Sequence, residues 1–329
     1  MTALVTGGGG FLGQAIVRGL RKRGIPVRSF SRSAHDALDA LGVEQRKGDL
    51  ADPVAVASAV QGCDVVFHAA AKPGIWGNYE EYYRPNVVGT QNVIAACRGY
   101  GVRRLVYTSS PSVVFDGRDM EGVDESVPYP ASFEAHYPKT KAIAEQLVRA
   151  ANDTQLATVS LRPHLIWGPG DNHLLPRLVA RARAGQLARI GSRPNLIDTV
   201  HVDNAADAHL LAADRLSPGS QVAGKVYFIS QGEPVPMWEM VNRLLLAAGA
   251  PPVTRTVPVW LALALAWGFE TVHRMTGNIH EPRLTRFVVH EMSTAHWFDI
   301  SAARRDLSYS PRISIAEGLE LLQSELRKP

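Results

Sequence analysis

Cysteines, long apolar runs and an excess of one charge are all scarce in this sequence. Its two cysteines, Cys63 and Cys97, have neither a metal-binding nor a redox spacing, so a reducing compartment is expected and no metal site is predicted. No apolar run reaches the ~18 residues that a membrane span requires. Met1 leads directly into an apolar strand pattern, so no signal peptide is expected. We therefore predict a cytoplasmic protein that does not span a membrane.

The charge balance argues against nucleic acid as a partner. The net charge is only +4 over 329 residues, and the basic residues are dispersed. The small basic cluster at residues 21–23 is expected to close the first helix, where cations interact favourably with the helix dipole. With 46% hydrophobic and 20% charged residues, the composition is that of an ordinary globular protein with one large domain or two.

A glycine-rich turn follows the first predicted strand, residues 3–6, and leads into a helix predicted to reach about Arg23. Such a turn lets backbone N–H groups approach a pyrophosphate at the positive end of the helix. With another strand predicted at residues 27–31, the motif indicates a dinucleotide site, and a purely structural turn is the alternative. The residues assigned to this site are Gly7, Gly10, Phe11, Leu12 and Gly13.

The end of the second predicted strand indicates which dinucleotide binds. NAD-specific sites usually have a carboxylate there, which accepts hydrogen bonds from the ribose 2′-hydroxyl. This sequence has Ser31 and Arg32 instead, a hydroxyl and a guanidinium that suit a 2′-phosphate, and Asp36 lies beyond the turn. We therefore predict NADP(H), with an exposed Arg32 that contacts no ligand as the alternative.

Strands and helices are predicted to alternate through the first half of the chain. Asp49 and Leu50 follow the third strand, where the carboxylate suits an adenine amine or caps the turn. Ala69, Ala70 and Ala71 follow the fourth strand and permit the close approach of a cofactor. The fold class is therefore predicted to be α/β, with a doubly wound parallel (Rossmann) sheet. Its later strands and one long helix are predicted at residues 43–47, 64–68, 104–108 and 86–94.

Two groups of polar residues indicate the chemistry. Tyr137 and Lys141 are four residues apart at the start of an apolar-periodic helix, so they share one face. A lysine ammonium one turn away is expected to lower the pKa of the phenol from about 10. Ser110 ends the fifth strand, where it could polarise a substrate carbonyl while Tyr137 donates a proton. A solvated Tyr–Lys pair and a serine turn are the alternatives.

The chain resembles the extended short-chain dehydrogenase/reductases over nearly its whole length. One departure is Pro111, directly after Ser110, which is expected to alter the local loop. The motifs that carry the resemblance are Thr6-Gly7-x-x-Gly10-x-x-Gly13, Asp49-Leu50, Thr108-Ser109-Ser110, Tyr137-x-x-x-Lys141, Leu161-Arg162-Pro163, Trp167-Gly168-Pro169-Gly170 and His201-Val202-Asp203-Asn204.

The resemblance implies roles for individual residues. Tyr137 would be the general acid/base, Lys141 would bind the nicotinamide ribose, and Ser110 would polarise the carbonyl. Cofactor neighbours implied in the same way are Asn86, Thr108 and Pro163. The resemblance also implies a homodimer that pairs the Asn86 and Lys141 helices, and it leaves partner enzymes of the same pathway open.

The sequence after about Trp167 is irregular. We predict a dinucleotide-binding domain at residues 1–166, with returns near 198–230, and a smaller, discontinuous substrate-binding part mainly at 167–329. Residues 257–269 are apolar on every side of a predicted helix, so they are expected to be buried or to lie against lipid. The helix is expected to end near Glu270. A core helix, a lid for a hydrophobic substrate and a peripheral membrane contact remain open.

Later segments indicate the branch of the family. The chain is similar to the 3β-hydroxysteroid dehydrogenase-like branch and, more closely, to the bacterial reductases of 2-alkyl-3-oxo acids in long-chain olefin biosynthesis. The resemblance implies NADPH-dependent reduction of the 3-keto group of an acid with two long alkyl chains. Arg162, His164 or a basic residue of the C-terminal part would meet the carboxylate. The similar segments are Asn172-His173-Leu174-Leu175-Pro176-Arg177, Ile229-Ser230-Gln231-Gly232-Glu233-Pro234 and His296-Trp297-Phe298-Asp299-Ile300-Ser301.

Three other functions remain open. A 3β-hydroxysteroid or sterol-4-carboxylate 3-dehydrogenase acts on a similarly large apolar substrate. A nucleotide-sugar epimerase or dehydratase is less favoured, because dehydratases have an Asp-Glu pair that is missing after Thr108. A regulator that binds NADP without turnover would commonly lack the tyrosine or the lysine, and both are present here.

Overall fold

The computed structural model describes residues 1–327. Its strands are β1 (Ala3–Thr6), β2 (Val27–Ser31), β3 (Glu44–Lys47), β4 (Val65–His68), β5 (Arg104–Thr108), β6 (Met120–Val123), β7 (Ala157–Pro163), β8 (Ile166–Trp167), β9 (Arg189–Ile190), β10 (Leu196–Ile197), β11 (Val200–His201), β12 (Val226–Ile229), β13 (Val235–Pro236), β14 (Thr256–Val257) and β15 (His296–Phe298). Its helices are α1 (Phe11–Lys22), α2 (Asp36–Asp39), α3 (Pro53–Val60), α4 (Tyr79–Tyr83), α5 (Gly89–Gly99), α6 (His136–Ala150), α7 (Leu174–Arg183), α8 (Val202–Arg215), α9 (Met237–Ala247), α10 (Val259–Thr276), α11 (Arg286–Ser293), α12 (Ser301–Leu307) and α13 (Ile315–Leu326).

A seven-stranded sheet in the order β12-β7-β5-β4-β1-β2-β3 forms the centre of the nucleotide-binding half. Every adjacent pair is parallel. The order reverses direction at β1, as a doubly wound sheet requires. The predicted α/β fold class is confirmed.

Alternating side chains of the short strands place apolar groups on both faces of the sheet. Ala3 and Val5 of β1 join one buried cluster, and Leu4 joins another on the opposite face. Helices α1 and α8 contribute to the first cluster, and α3 and α5 to the second. Because both faces are covered, β1 is buried throughout, as expected for an inner strand of a parallel sheet.

The strand register brings four carboxyl ends to one edge of the sheet. Thr6 lies opposite His68, His68 lies opposite Tyr107, and Thr108 lies opposite Leu161. The loops that leave β1, β4, β5 and β7 therefore start side by side, and every residue proposed for chemistry lies on or near these loops.

The long helix predicted around residues 86–94 has a wider turn at its start. Residues Arg84–Val88 are π-helical and connect α4 to α5. Pro85 lies in this turn and has no N–H to donate to the preceding turn, which accounts for the local break in the α-helical pattern. The π-helical turn carries Asn86 and points it into the protein, where it is buried.

The C-terminal part has its own core and a second sheet. That sheet has the order β13-β10-β15-β6, so it includes β6 from the first half of the chain. A third apolar cluster is formed mainly by α7, α9, α10 and α13. Conversely, α8 and β12 return to the nucleotide-binding half. The division near residue 166 stays a prediction.

Helix α10 differs from its predicted form in length and exposure. It continues to Thr276 because Glu270 points inward, where it accepts hydrogen bonds from the backbone N–H of Arg286 at 2.7 Å and from its Nε at 3.0 Å. The helix ends at Gly277, which has a φ of +64°. The predicted end near Glu270 was therefore wrong.

Only Ala262, Ala266 and Glu270 of α10 are buried, so α10 is not an ordinary core helix. Trp260 and Trp267 are 70% and 62% exposed. None of the helices in the described part of the chain combines the length and apolar character needed to cross a bilayer.

Candidate active site

The glycine loop between β1 and α1 packs closely against the loop that follows β4. Gly7 has a φ of +68°, and a Cβ there would lie 2.9 Å from the Cα of Ala70. A Cβ on Gly13 would lie 2.0 Å from the carbonyl oxygen of Gly7. These contacts explain why glycine is needed at both positions and bring the β1 and β4 loops together.

The start of α1 suits a dinucleotide pyrophosphate. Its N-cap, Gly10, has no side chain that could occupy the first-turn N–H groups, and the first turn has no acidic residue. Phe11 and Leu12 open the helix and are half-buried. The chemistry of this donor set fits a phosphate at the positive end of the helix dipole.

The residues predicted to favour NADP(H) over NAD lie at the end of β2. Arg32 is exposed, while the Ser31 hydroxyl donates to the carbonyl of Ser33 at 2.7 Å. The ring of His35 lies against the glycine loop, within 2.0 Å of where a Cβ on Gly9 would be. His35 was not predicted to lie at this site. The one sequence feature that agrees with its position is Gly9, whose lack of a side chain leaves room for the His35 ring.

The loops after β3 and β4 are tightly packed. Asp49 is exposed and accepts a hydrogen bond from Ala51 N at 2.9 Å, which is the turn-cap role considered as the alternative. Leu50 is buried and packs against α5. The side chains of Ala69, Ala70 and Ala71 are half-buried, and the Ala70 N–H donates to the Thr6 hydroxyl at 3.2 Å.

Asn86 joins the loop after β4 to helix α6 through hydrogen bonds. Its Oδ1 accepts from Lys72 N at 2.7 Å, and its Nδ2 donates to the Lys72 carbonyl at 3.2 Å and to the Thr140 hydroxyl at 3.0 Å. The amide is thus engaged by protein groups, so Asn86 neighbours the predicted cofactor site by holding the β4 loop against α6. Its direct contact with a cofactor stays a prediction.

The two predicted catalytic hydroxyls come together. Tyr137 lies in the first turn of α6, and Ser110 caps the short 3-10 turn Pro111–Val114 after β5. Both side chains line one cavity, where the Ser110 hydroxyl lies 2.9 Å from the Ser112 hydroxyl. Pro111 occupies the first position of that turn, where proline is well tolerated, so its presence leaves the Ser110 hydroxyl in place.

Lys141 is buried below this pair. Its side chain is 2% exposed, its Nζ donates to the Thr108 carbonyl, and Nζ lies 4.2 Å from the centre of the Tyr107 ring. Burial lowers the pKa of Lys141 to about 7, against the opposing charge of Glu145. The Thr108 hydroxyl is itself hydrogen-bonded to His209 Nε2 at 2.8 Å.

The predicted effect of Lys141 on Tyr137 is wrong for this arrangement. Burial raises the pKa of the Tyr137 phenol to about 12, the neighbouring Ser110 hydroxyl opposes the rise, and the Glu291 carboxylate adds to it. The Lys141 ammonium is instead held by the Thr108 carbonyl. Desolvation therefore outweighs the i, i+4 charge effect that the sequence indicated.

The cavity at Tyr137 has a volume of about 270 Å³. Pro163, at the end of β7, forms part of its wall, and its contact with a cofactor stays a prediction. Most of the other wall residues lie far from Tyr137 in sequence, and none of them was individually assigned to the site. They are Gly74, Ile75, Phe115, Met120, Leu165, Arg177, Phe287, Glu291, His296 and Phe298.

A chain of hydrogen bonds orders one side of the cavity. His296 Nε2 donates to the Glu291 carbonyl at 2.7 Å, so its Nδ1 accepts from His164 Nε2 at 3.1 Å. His164 Nδ1 in turn faces the buried carboxylate of Asp198 at 3.5 Å. Burial and the neighbouring His164 lower the pKa of His296 to about 3, so this ring is neutral.

Glu291 is the acidic residue of the cavity wall. Burial raises its pKa to about 7, and the nearby Glu134 adds to the rise. Glu134 is paired with His290 at 2.8 Å. No spacing in the sequence brings Glu291 near Tyr137, because α11 lies about half the chain length away.

Arg162, one candidate for a substrate carboxylate, is already paired. It is buried and donates to both carboxylate oxygens of Glu145, at 2.9 and 2.6 Å. Its guanidinium also stacks 5.1 Å from the centre of the Phe228 ring. Arg162 is therefore a structural cation. Within residues 1–327, no cluster of three or more histidine, cysteine, aspartate or glutamate side chains is arranged to hold a metal ion.

Comparison with known proteins gives one family. Residues 4–258 match the model of the 3-beta hydroxysteroid dehydrogenase/isomerase family. A 2-alkyl-3-oxoalkanoate reductase of Stenotrophomonas maltophilia is 53% identical over 98% of this chain and 99% of its own length. A decarboxylating sterol-4-alpha-carboxylate 3-dehydrogenase of Mus musculus is 35% identical over 96% of this chain and 88% of its own length.

A solved structure with the same fold contains a nicotinamide dinucleotide. The structure of MoeE5 in complex with UDP-glucose and NAD superposes with a TM-score of 0.74 and 26% identity. The match covers 99% of this chain and 99% of that one.

Proposed function

The chain belongs to the 3-beta hydroxysteroid dehydrogenase/isomerase family and is an oxidoreductase, and we propose that it uses NADPH to reduce the 3-keto group of a long-chain 2-alkyl-3-oxoalkanoic acid to the 3-hydroxy acid. The observation that carries this proposal is the placement of the Ser110 and Tyr137 side chains in the wall of one largely apolar cavity. The 53% identity with a reductase of that name supports the choice of substrate.

In the proposed mechanism, NADPH supplies the hydride when bound. Ser110 donates a hydrogen bond to the ketone oxygen, and Tyr137 transfers its phenolic proton to the alkoxide that develops there. A pKa of about 12 keeps Tyr137 protonated at neutral pH, which is the state that a proton donor needs.

Lys141 would bind the nicotinamide ribose in this proposal. It lies one helical turn from Tyr137 and is fixed by the Thr108 carbonyl at the end of β5. At the other end of the cofactor, Ser31 and Arg32 would bind the 2′-phosphate, because Arg32 is exposed beside the end of β2. Gly7, Gly10 and Gly13 would bind the pyrophosphate, as their packing supports.

Substitution of Tyr137 tests the mechanism. Tyr137→Phe keeps the buried ring but removes the proton, so turnover of 2-alkyl-3-oxo acids should fall by at least a hundredfold. The measurement is NADPH absorbance loss over a panel of such acids, steroids and sugar nucleotides. Tyr100→Phe, at an exposed tyrosine, is the matched control and should retain full activity. Wild-type turnover by Tyr137→Phe would reject the mechanism, and NADPH binding without turnover across the panel would favour a regulator.

A sterol-carboxylate dehydrogenase is the second candidate. The relative from Mus musculus has that name, and its named substrate, like the proposed one, is large, apolar and carries a carboxylate. The panel distinguishes the two candidates, because faster NADP⁺ reduction with a sterol carboxylate than NADPH oxidation with any 3-oxo acid would favour the dehydrogenase.

The exposed face of α10 supports peripheral contact with an anionic membrane surface as part of the proposal. No charged residue lies between Arg255 and Glu270, and Trp260 and Trp267 are one heptad apart on the outer side. Arg255 and Arg274 flank the apolar run and complement anionic headgroups.

The cavity size agrees with such a contact. At about 270 Å³, the cavity is smaller than the roughly 300–1,000 Å³ of sites that enclose a drug-sized ligand. The alkyl chains of the proposed substrate must then continue outside the cavity. The C-terminal end of α10 adjoins one wall of it, because Trp76 Nε1 donates to the Asn278 carbonyl at 3.2 Å and the same loop carries Ile75.

A further inference from the structure

One guanidinium in the cavity wall has no role in the mechanism above. Arg177 lies in the first turns of α7 and lines the cavity together with Tyr137 and Ser110. Its Nη1 is 3.3 Å from a carboxylate oxygen of Glu281, and the Arg177 side chain is 64% exposed. It therefore keeps most of its five donors available at the mouth of the cavity.

The other basic groups near the cavity are not available to an anion. Arg162 is buried in its pair with Glu145. His296 is neutral and uses both ring nitrogens, and His164 directs its two nitrogens at His296 and Asp198. Among the described residues that line the cavity, Arg177 is the cation that can meet a carboxylate.

We propose that Arg177 is the specificity-determining residue that binds the carboxylate of the substrate, and that this carboxylate takes the place of Glu281. The inference rests on the proposed function, since it requires an acid as substrate. A guanidinium binds a carboxylate through two parallel N–H···O bonds, which a neutral ester cannot reproduce with the same strength.

The charge of Arg177 also opposes repulsion between like charges. Glu291 lines the same cavity near Tyr137, and a substrate carboxylate beside it would be repelled whenever Glu291 is ionised. Pairing the carboxylate with the Arg177 guanidinium offsets this repulsion while the neighbouring ketone reaches Ser110 and Tyr137. The negative partner that it displaces, Glu281, follows α10 in the chain.

Binding of a stable product tests the inference independently of turnover. The probes are 2-butyl-3-hydroxyoctanoic acid and its methyl ester, titrated calorimetrically into the full-length protein with NADP⁺ present. Arg177→Gln should weaken binding of the acid roughly tenfold and leave binding of the ester unchanged. Glu281→Gln should strengthen binding of the acid alone. Arg183→Gln, on the same helix but away from the cavity, is the matched control and should alter neither.

The outcomes separate this inference from the proposed function. Equal weakening of acid and ester by Arg177→Gln, or no weakening of either, would overturn the role of Arg177. A loss of acid binding without a loss of ester binding supports that role, even if the wild-type protein reduces no 3-oxo acid. The lack of such reduction would instead reject the proposed reaction. In Arg177→Lys, partial recovery of acid binding would support recognition of charge.

Discussion

At the scale of single residues, burial determines the electrostatics of the site. Sequence spacing correctly brought Tyr137 and Lys141 onto one helix, and the strand-end pattern brought Ser110 to the same cavity. Spacing could not show that Lys141 would be held by the Thr108 carbonyl, because that contact depends on how α6 packs against β5. Glu291 was missed for the same reason, and Arg177 could not be singled out among the basic residues of the C-terminal part, since only tertiary structure brings α7 and α11 to the cavity.

The raised pKa of Glu291 predicts a pH-dependent loss of stability. Its folded-state pKa of about 7 lies above its ordinary value of 4.5, so between these pH values the folded state binds more protons than the unfolded state. Stability should therefore fall as pH rises from 4.5 to 7, by up to about 3 kcal/mol. Glu291→Gln should remove this loss, which urea unfolding at pH 5 and pH 8 would measure.

The control for this prediction is Glu320→Gln, at an exposed position of α13. It should show the same pH dependence as the wild-type protein. If Glu291→Gln and the wild-type protein lose equal stability between the two pH values, Glu291 does not carry the effect.

Arg32 should determine the preference for NADPH. Replacing Arg32 with glutamine removes the exposed guanidinium beside the end of β2, so the KM for NADPH should rise about tenfold while the KM for NADH changes little. Steady-state kinetics with both cofactors would measure this. Lys22→Gln, at the exposed end of α1, is the control. An unchanged NADPH preference in the Arg32 variant would contradict the assignment.

At the scale of elements, short apolar strands were the easiest to predict. The bounds of β1, β2 and β5 agree with the predicted ones, because a glycine-containing turn directly precedes or follows each strand. The end of α10 was predicted wrongly because charged residues were taken as a stop, whereas Glu270 is satisfied by Arg286 in a different helix. When the partner of a buried charged residue lies in another helix, the residues around it in sequence do not show that it is buried, and the helix end cannot be predicted from them.

Gly13 should be indispensable to the start of α1. A Cβ at this position would lie 2.0 Å from the Gly7 carbonyl oxygen, so Gly13→Ala must displace the loop and should abolish measurable dinucleotide binding in calorimetry. Gly99→Ala is the matched helical control, because a Cβ there has open space around it. The control should be stabilised by up to about 1 kcal/mol. Unchanged dinucleotide binding by Gly13→Ala would contradict the proposed pyrophosphate site.

Helix α10 should bind to anionic lipid vesicles. The double variant Trp260→Glu/Trp267→Glu places two charges on the outer face and should reduce cosedimentation with phosphatidylglycerol vesicles at least tenfold. Val54→Glu, an equally exposed apolar position on α3, is the control and should bind as the wild-type protein does. Equal binding by the double variant would exclude α10 as the contact.

At the scale of the whole molecule, the chain passes repeatedly between its two halves. Helix α8 packs with the nucleotide-binding half and strand β12 extends its sheet, while the domain bounds, including the returns near 198–230, stay a prediction. The pairing of β6 with β15 was not predicted, because two short strands separated by more than half the chain share no sequence signal. The predicted family membership is confirmed by the match over residues 4–258.

The proposed homodimer should be visible in solution. The outer faces of α5 and α6 carry the half-buried side chains of Ile94, Ile143 and Leu147, which a four-helix interface would cover. Light scattering should give twice the 35.7 kDa chain mass, and Ile143→Glu/Leu147→Glu should give the monomer. The control is Leu326→Glu, at an exposed position of α13. A monomeric wild-type protein at micromolar concentration would contradict the dimer.

The carboxylate that extends α10 also gives the molecule a mechanical linkage. Glu270 fastens α10 to the first residue of α11 through the backbone and side chain of Arg286, and α11 supplies Phe287 and Glu291 to the cavity wall. We therefore expect a displacement of α10 to move α11, and with it the Phe287 and Glu291 side chains of the cavity wall. A surface that contacts α10 would thereby change the width of the cavity at Tyr137.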